Sequence, residues 1–106
     1  IRALEPLEGL EEMRVRRWPG PAEGRGDRSD AQLTSGPARL CQALGIDQRF
    51  DGIDLCAPAA LLFLEEDAPI PDGAVVTGPR VGVRGDEAAT TIPWRFCARG
   101  SRYVSR

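Results

Sequence analysis

Arg2 stands in an otherwise apolar opening tetrapeptide, Ile1-Arg2-Ala3-Leu4. On a half-exposed strand such a cation faces water, whereas inside a cleft it needs an anion or a polar partner. A second candidate for chemistry is the run LTSGPARLCQALGID, Leu33 to Asp47. Thr34, Ser35 and Gly36 stand where a helix takes its cap, and Pro37 stands where it takes its first residue. Leu40, Ala43 and Leu44 then share a face, and Gly45 closes the element. The unpaired N–H groups of that first turn, with Arg39 a turn inside, can hold a phosphate or point at water.

The remaining residue types exclude more than they offer. The chain contains no His, so it has no Ser–His or Cys–His dyad of its own. All its basic residues are Arg, so it carries no Lys for a Schiff base. Cys41, Cys56 and Cys97 are too widely spaced for a CxxC pair or a zinc knuckle, and they read as reduced, buried cysteines of a cytosolic protein. Asp47, Asp51 and Asp54 lack the Gly and Glu pattern of a calcium loop and read as turn residues. The glutamates of LEPLEGLEE read as a solvated helix face, and Trp18 and Trp94 as core or rim side chains. The residues therefore call for no metal and no cofactor.

The net charge of −2 argues against a general nucleic-acid binder, but the charge is unevenly spread. Glu5, Glu8, Glu11 and Glu12 dominate the first dozen residues. Arg14, Arg16, Arg17, Arg25 and Arg28 follow against Glu23 and Asp27. The tail from Ala88 holds Arg95, Arg99, Arg102 and Arg106 without an acid. That tail suits a phosphate backbone, and equally a solvated surface.

These residues need elements to carry them. Ile1 to Leu4 reads as a strand end stopped by Glu5-Pro6. Leu7, Leu10 and Met13 predict a helix over 7–17, with its glutamates early and its arginines late, as the helix dipole prefers. Residues 19–32 read as an exposed loop, and Asp51-Gly52 as a turn. Leu61–Glu65, Ala74–Thr77, Arg80–Arg84 and Trp94–Arg99 are predicted strands, with a helical turn over Asp86–Thr91. The expected fold class is α+β: a mixed, mainly antiparallel curved sheet with short helices, seen as an incomplete single domain. The chain opens without Met on an apolar β pattern, which reads as part of a larger domain, with a processed N-terminus as the alternative. No signal peptide and no apolar run long enough to span a bilayer is present in it.

Four stretches then add what the chemistry alone leaves open. RALEPLEGLEEMR, LTSGPARLCQALGID, RVGV and PWRFCARGSRYVS, in that order and at natural spacings, resemble the C-terminal half of the alkyladenine (3-methyladenine) DNA glycosylase family. The resemblance runs over residues 1–106, with interruptions at 18–30 and 56–74. In that family a damaged purine is flipped out of the duplex and water displaces it from the deoxyribose.

By position, the resemblance makes Arg2 the arginine that orients the attacking water beside the target phosphate. It makes Val81 the residue whose backbone carbonyl also holds that water. Ser35, Gly36 and Arg39 match the helix start that grips the DNA backbone. The resemblance implies a monofunctional, cofactor-free DNA-3-methyladenine glycosylase of base-excision repair, acting as a monomer on double-stranded DNA with damaged purines, in a bacterial-type cytoplasm at the nucleoid. It also implies that the general-base glutamate, the pocket aromatics and the wedge tyrosine lie upstream of RALEP, so this chain alone is expected to be inactive. Arg102 departs from the pattern, standing where a proline is common. The alternative reading is a non-catalytic DNA-binding or interaction module derived from that fold.

Overall fold

Two of the predicted helices form, and one of them starts later than its apolar spacing suggests. The computed structural model describes residues 1–21 and 28–104. The first helix, α1 (Leu10–Arg17), starts at Gly9, whose φ of 68° cannot continue into a helix interior. Leu7 is thereby left outside the helix and 79% exposed, although its spacing fits the apolar face. Met13 donates its N–H to the Gly9 carbonyl at 3.0 Å to open the ladder. Glu11 and Glu12 occupy the first turn and Arg14, Arg16 and Arg17 the last, the favourable arrangement for the helix dipole. The predicted loop over 19–32 is interrupted by a short helix, α2 (Ala31–Thr34); its residues 22–27, with Arg25, Glu23 and Asp27, lie outside the described residues.

The helix α3 (Pro37–Leu44) follows the sequence signals closely. Pro37 stands at its start, Leu40 and Ala43 are buried, and Gly45 ends it at φ 70°. Ile46 returns its N–H to the Cys41 carbonyl at 2.8 Å, and Gly45 to Gln42 at 3.3 Å, satisfying carbonyls the helix leaves open. Neither Thr34 nor Ser35 caps α3 with its side chain. Arg16 donates to the Ala43 carbonyl at 3.1 Å, while Gln42 donates to the Arg16 carbonyl at 3.0 Å and accepts from Arg17 at 2.6 Å. These bonds lock α1 across α3. Between them lies the core of Met13, Leu33 and Ala43, flanked by Leu10, Trp18 and Leu44.

After a 3₁₀ turn at Gln48–Phe50 and the expected Asp51-Gly52 turn, the chain is irregular as far as residue 71. A 3₁₀ turn at Asp72–Ala74 then leads into β1 (Val75–Gly78), which pairs antiparallel with β2 (Arg95–Ala98), setting Val75 opposite Ala98 and Thr77 opposite Phe96. Between the strands, α4 (Glu87–Thr91) is capped by Asp86, whose carboxylate accepts from the Ala89 N–H at 2.8 Å.

The expected α+β fold with a mainly antiparallel curved sheet is overturned. The described residues are mainly helical, 32% helix against 10% strand, and their two-stranded sheet neither curls nor closes. The predicted strands at Leu61–Glu65 and Arg80–Arg84 do not form, and Ile1–Leu4 contributes a single bridge, Ala3 to Ser35. A helix satisfies its backbone within one short segment, whereas a strand must find a second segment to pair with. Among the described residues only β1 and β2 find each other. Arg80–Arg84 is further bent by Gly82 at φ 70°. The expectation of buried cysteines also fails: Cys41 and Cys97 are half-buried and Cys56 is exposed, all three free.

Candidate functional site

The opening segment is held against the helices by two contacts. Ala3 bridges Ser35, and the buried Thr34 hydroxyl donates to the Leu4 carbonyl at 2.5 Å. Thr34 thus spends its hydroxyl on the opening segment and not on α3, which starts at Gly36 without a side-chain cap. This anchoring fixes the backbone just after Arg2 and leaves its side chain exposed. Arg2 lines two neighbouring clefts. The first, about 640 Å³, is also lined by Gln32, Ser35, Gly36, Arg39 and Arg102. The second, about 430 Å³, is also lined by Arg80, Val81, Trp94 and Phe96.

In the first cleft Gly36 adopts φ 148° and ψ 152°, a region essentially closed to residues with a Cβ. That conformation turns the chain sharply into α3, where Leu40 makes the first helical bond to the Gly36 carbonyl at 2.8 Å. The Ala38 and Arg39 N–H groups therefore have no partner within the helix, and both residues line the cleft. Arg39 donates to the Ser35 hydroxyl at 3.0 Å and also to the Gln32 side-chain carbonyl. Nearby, Arg17 donates to the Gln32 backbone carbonyl at 3.3 Å. Burial, aided by the charge of Arg39, pulls the Arg17 guanidinium below its ordinary value. Two guanidiniums are thus held side by side on neutral acceptors.

In the second cleft Val81 lies in a turn, half-buried, and no described donor pairs with its carbonyl. Arg80 stacks over Trp94 at 5.4 Å from the ring centroid, leaving Trp94 as a rim side chain. All five residues singled out in the sequence therefore line these clefts: Ser35, Gly36 and Arg39 the first, Val81 the second, and Arg2 both. Sequence reasoning missed Gln32 and Arg80, and read Arg102 as part of an arginine-rich tail and a departure from the family pattern. The pattern of the tail names the charge, but only the fold shows which of its arginines reaches a cleft.

Elsewhere Arg14 and Arg49 are paired with carboxylates. Arg14 pairs with Glu11 and with Asp30, the latter at 2.5 Å, and its hydrogen bond to Asp30 leads the effects that raise the Arg14 guanidinium. Arg49 holds Asp47 at 2.9 Å. Among the described residues no group of His, Cys, Asp and Glu could hold a metal ion, and no helix is long and apolar enough to cross a membrane.

Comparison with known proteins gives the family. A protein of Burkholderia lata, provisionally named a 3-methyladenine DNA glycosylase, is 43% identical over 105 residues, covering 99% of this chain and 46% of the relative. A Nitrosospira multiformis protein of the same provisional name is 43% identical over 106 residues, covering 100% of this chain and 47% of the relative. One from Clostridium perfringens is 35% identical over 107 residues, covering 100% and 52%. The chain spans about half the length of the curated relatives it matches. Residues 1–102 match the family described as methylpurine-DNA glycosylase, and the chain belongs to that family.

Proposed function

We propose that this chain is the C-terminal portion of a single glycosylase domain that removes alkylated or deaminated purines from double-stranded DNA in base-excision repair. The observation that carries the reading is Arg2, which faces both the cleft at the start of α3 and the cleft that holds Val81. Ser35, Gly36 and Arg39 grip a phosphodiester: the unpaired N–H groups at the helix start and the Arg39 guanidinium both favour an anion. Arg2 and the Val81 carbonyl orient water for attack on the sugar of a flipped nucleotide.

The chemistry divides accordingly. The water oxygen bonds to C1′ of the deoxyribose as the N-glycosidic bond breaks, and the purine leaves with the bonding electrons. The water proton passes to a carboxylate base. Neither Glu5 nor Glu8 supplies that base, which belongs to the family's upstream half. A donor held toward the reacting oxygen is worth about 10²–10³-fold in rate when its charge is placed in advance. The enzyme acts as a monomer without a cofactor, in the cytoplasm at the nucleoid.

The test is single-turnover excision of hypoxanthine from a labelled duplex, with alkali revealing abasic sites. This chain is run beside a version extended upstream to the length of its relatives. Activity in the extended protein alone supports the reading. Activity in the 106 residues means that a carboxylate of this chain is the base, and silence from both favours a non-catalytic DNA-binding module. In the extended protein, Arg2→Ala should lower turnover by about 10²-fold with little change in DNA affinity. Arg39→Ala should do the reverse and flatten the salt dependence of binding.

A further inference from the structure

Arginines in this chain meet two kinds of partner. Arg14 and Arg49 are bound by carboxylates. Arg39 and Arg102, which share the first cleft with Arg2, are bound only to neutral oxygens in the contacts the structure gives them. Arg102 donates to the Tyr103 hydroxyl at 2.9 Å and lies 5.1 Å from the centroid of the same ring. Its side chain is thereby oriented, yet its charge is not cancelled. No carboxylate is among the described residues lining that cleft. Asp30 and Glu5 act on Arg102 only through their more distant charges, and Asp30 is already engaged by Arg14.

We propose that Arg102 is a further phosphodiester contact, facing the same DNA backbone as the start of α3 from the other end of the chain, with Tyr103 as its positioning residue. This rests on the DNA-gripping role proposed for Gly36 and Arg39. It extends that grip from one helix start to two separate segments, so the strand is held between them rather than resting on one. A phosphodiester supplies the anion that neither Ser35, Gln32 nor Tyr103 provides, and each neutralised phosphate releases condensed counterion.

The test is the salt dependence of binding between the full chain and a labelled DNA duplex, followed by fluorescence anisotropy. Arg102→Ala should reduce the slope of log K against log salt by about 0.9 and weaken binding about five- to tenfold near 0.1 M salt. Arg102→Lys should restore the slope, because the counterion count follows charge. Tyr103→Phe keeps the ring and should weaken binding by less than Arg102→Ala. Arg102 is exposed, so far-UV circular dichroism should be the same for all these variants. An unchanged slope in Arg102→Ala, with a reduced slope in Arg39→Ala, overturns this proposal and leaves the grip of α3 standing. Binding by the parent chain that does not respond to salt overturns both.

Discussion

Between Met13 and Ala43 the chain buries Met13, Leu33, Thr34, Leu40 and Ala43, whereas from Asp51 to Val104 it buries no described residue. The later region is the more apolar of the two, 26 of 54 residues against 10 of 31, yet its elements bury less of it. Three short helices bring their apolar faces together within one stretch of chain. The later region holds a single hairpin and leaves Leu61, Phe63, Leu64, Ile70, Trp94 and Phe96 exposed. The total accessible surface is 8285 Å², against about 5,800 Å² for a closed monomer of this mass. The radius of gyration is 15.8 Å, against about 13 Å for a compact chain of this length. Ser35, Gly36 and Arg39 hang on the packed region; Val81 and Arg102 hang on the open one. The start of α3 is thus positioned by helices that support themselves, and the Val81 carbonyl is not.

The largest expected effect breaks the comparison at its strongest point. Leu33 is fully buried, so Leu33→Ala should cost about 2–5 kcal/mol, including the cavity it leaves. Leu61 is 91% exposed, and Leu61→Ala should change stability by no more than about 0.5 kcal/mol. Urea unfolding followed by circular dichroism measures both. Equal losses would mean that the later region packs a core of its own in solution, and the contrast would disappear.

A smaller effect separates the two regions by backbone strain. Gly36→Ala must place a Cβ at φ 148°, which costs about 1–3 kcal/mol, or must let the start of α3 relax. Gly82, at φ 70° with nothing within 4 Å of an added Cβ, should cost about 1–2 kcal/mol on the same change. The two diverge in function more than in stability. Gly36→Ala should also weaken DNA binding, because it re-aims the Ala38 and Arg39 N–H groups. Parallel DNA titrations of the two variants check this, and equal affinities would remove Gly36 from the grip.

The same division explains what could be read in the sequence. α3 was legible because Pro37, the Leu40–Ala43 spacing and Gly45 all state the same local preference. The start of α1 was not, because Leu7 satisfies the helical spacing while Gly9 breaks the helix beneath it. The expected strands at 61–65 and 80–84 do not form for a deeper reason: an apolar run states a tendency to extend but does not say whether a partner lies within reach. The roles proposed for Arg2 and Val81 rest on family resemblance. No periodicity could show that Arg2, Arg39 and Arg102 line one cleft, since that depends on Ala3 meeting Ser35.

The smallest expected effect lies at the seam between the two regions. Asp47 caps the Gln48–Phe50 turn, accepting from the Arg49 N–H at 2.9 Å, and also pairs with the Arg49 guanidinium. These bonds, the side-chain one foremost, hold the Asp47 carboxyl below its ordinary value. A carboxylate depressed in the folded state stabilises fully above its unfolded pKa, and that stabilisation is lost as pH falls through the folded value. The seam should therefore be indifferent to pH near neutrality and loosen only in acid, below the range where an ordinary Asp titrates. The pair is exposed, so water and salt screen most of its energy. A carboxyl carbon titration by NMR should give Asp47 a midpoint below the ordinary Asp value, and Arg49→Ala should raise it toward that value. A midpoint unmoved by Arg49→Ala would show that the turn holds without the pair, leaving the boundary between the regions to Asp51-Gly52 alone.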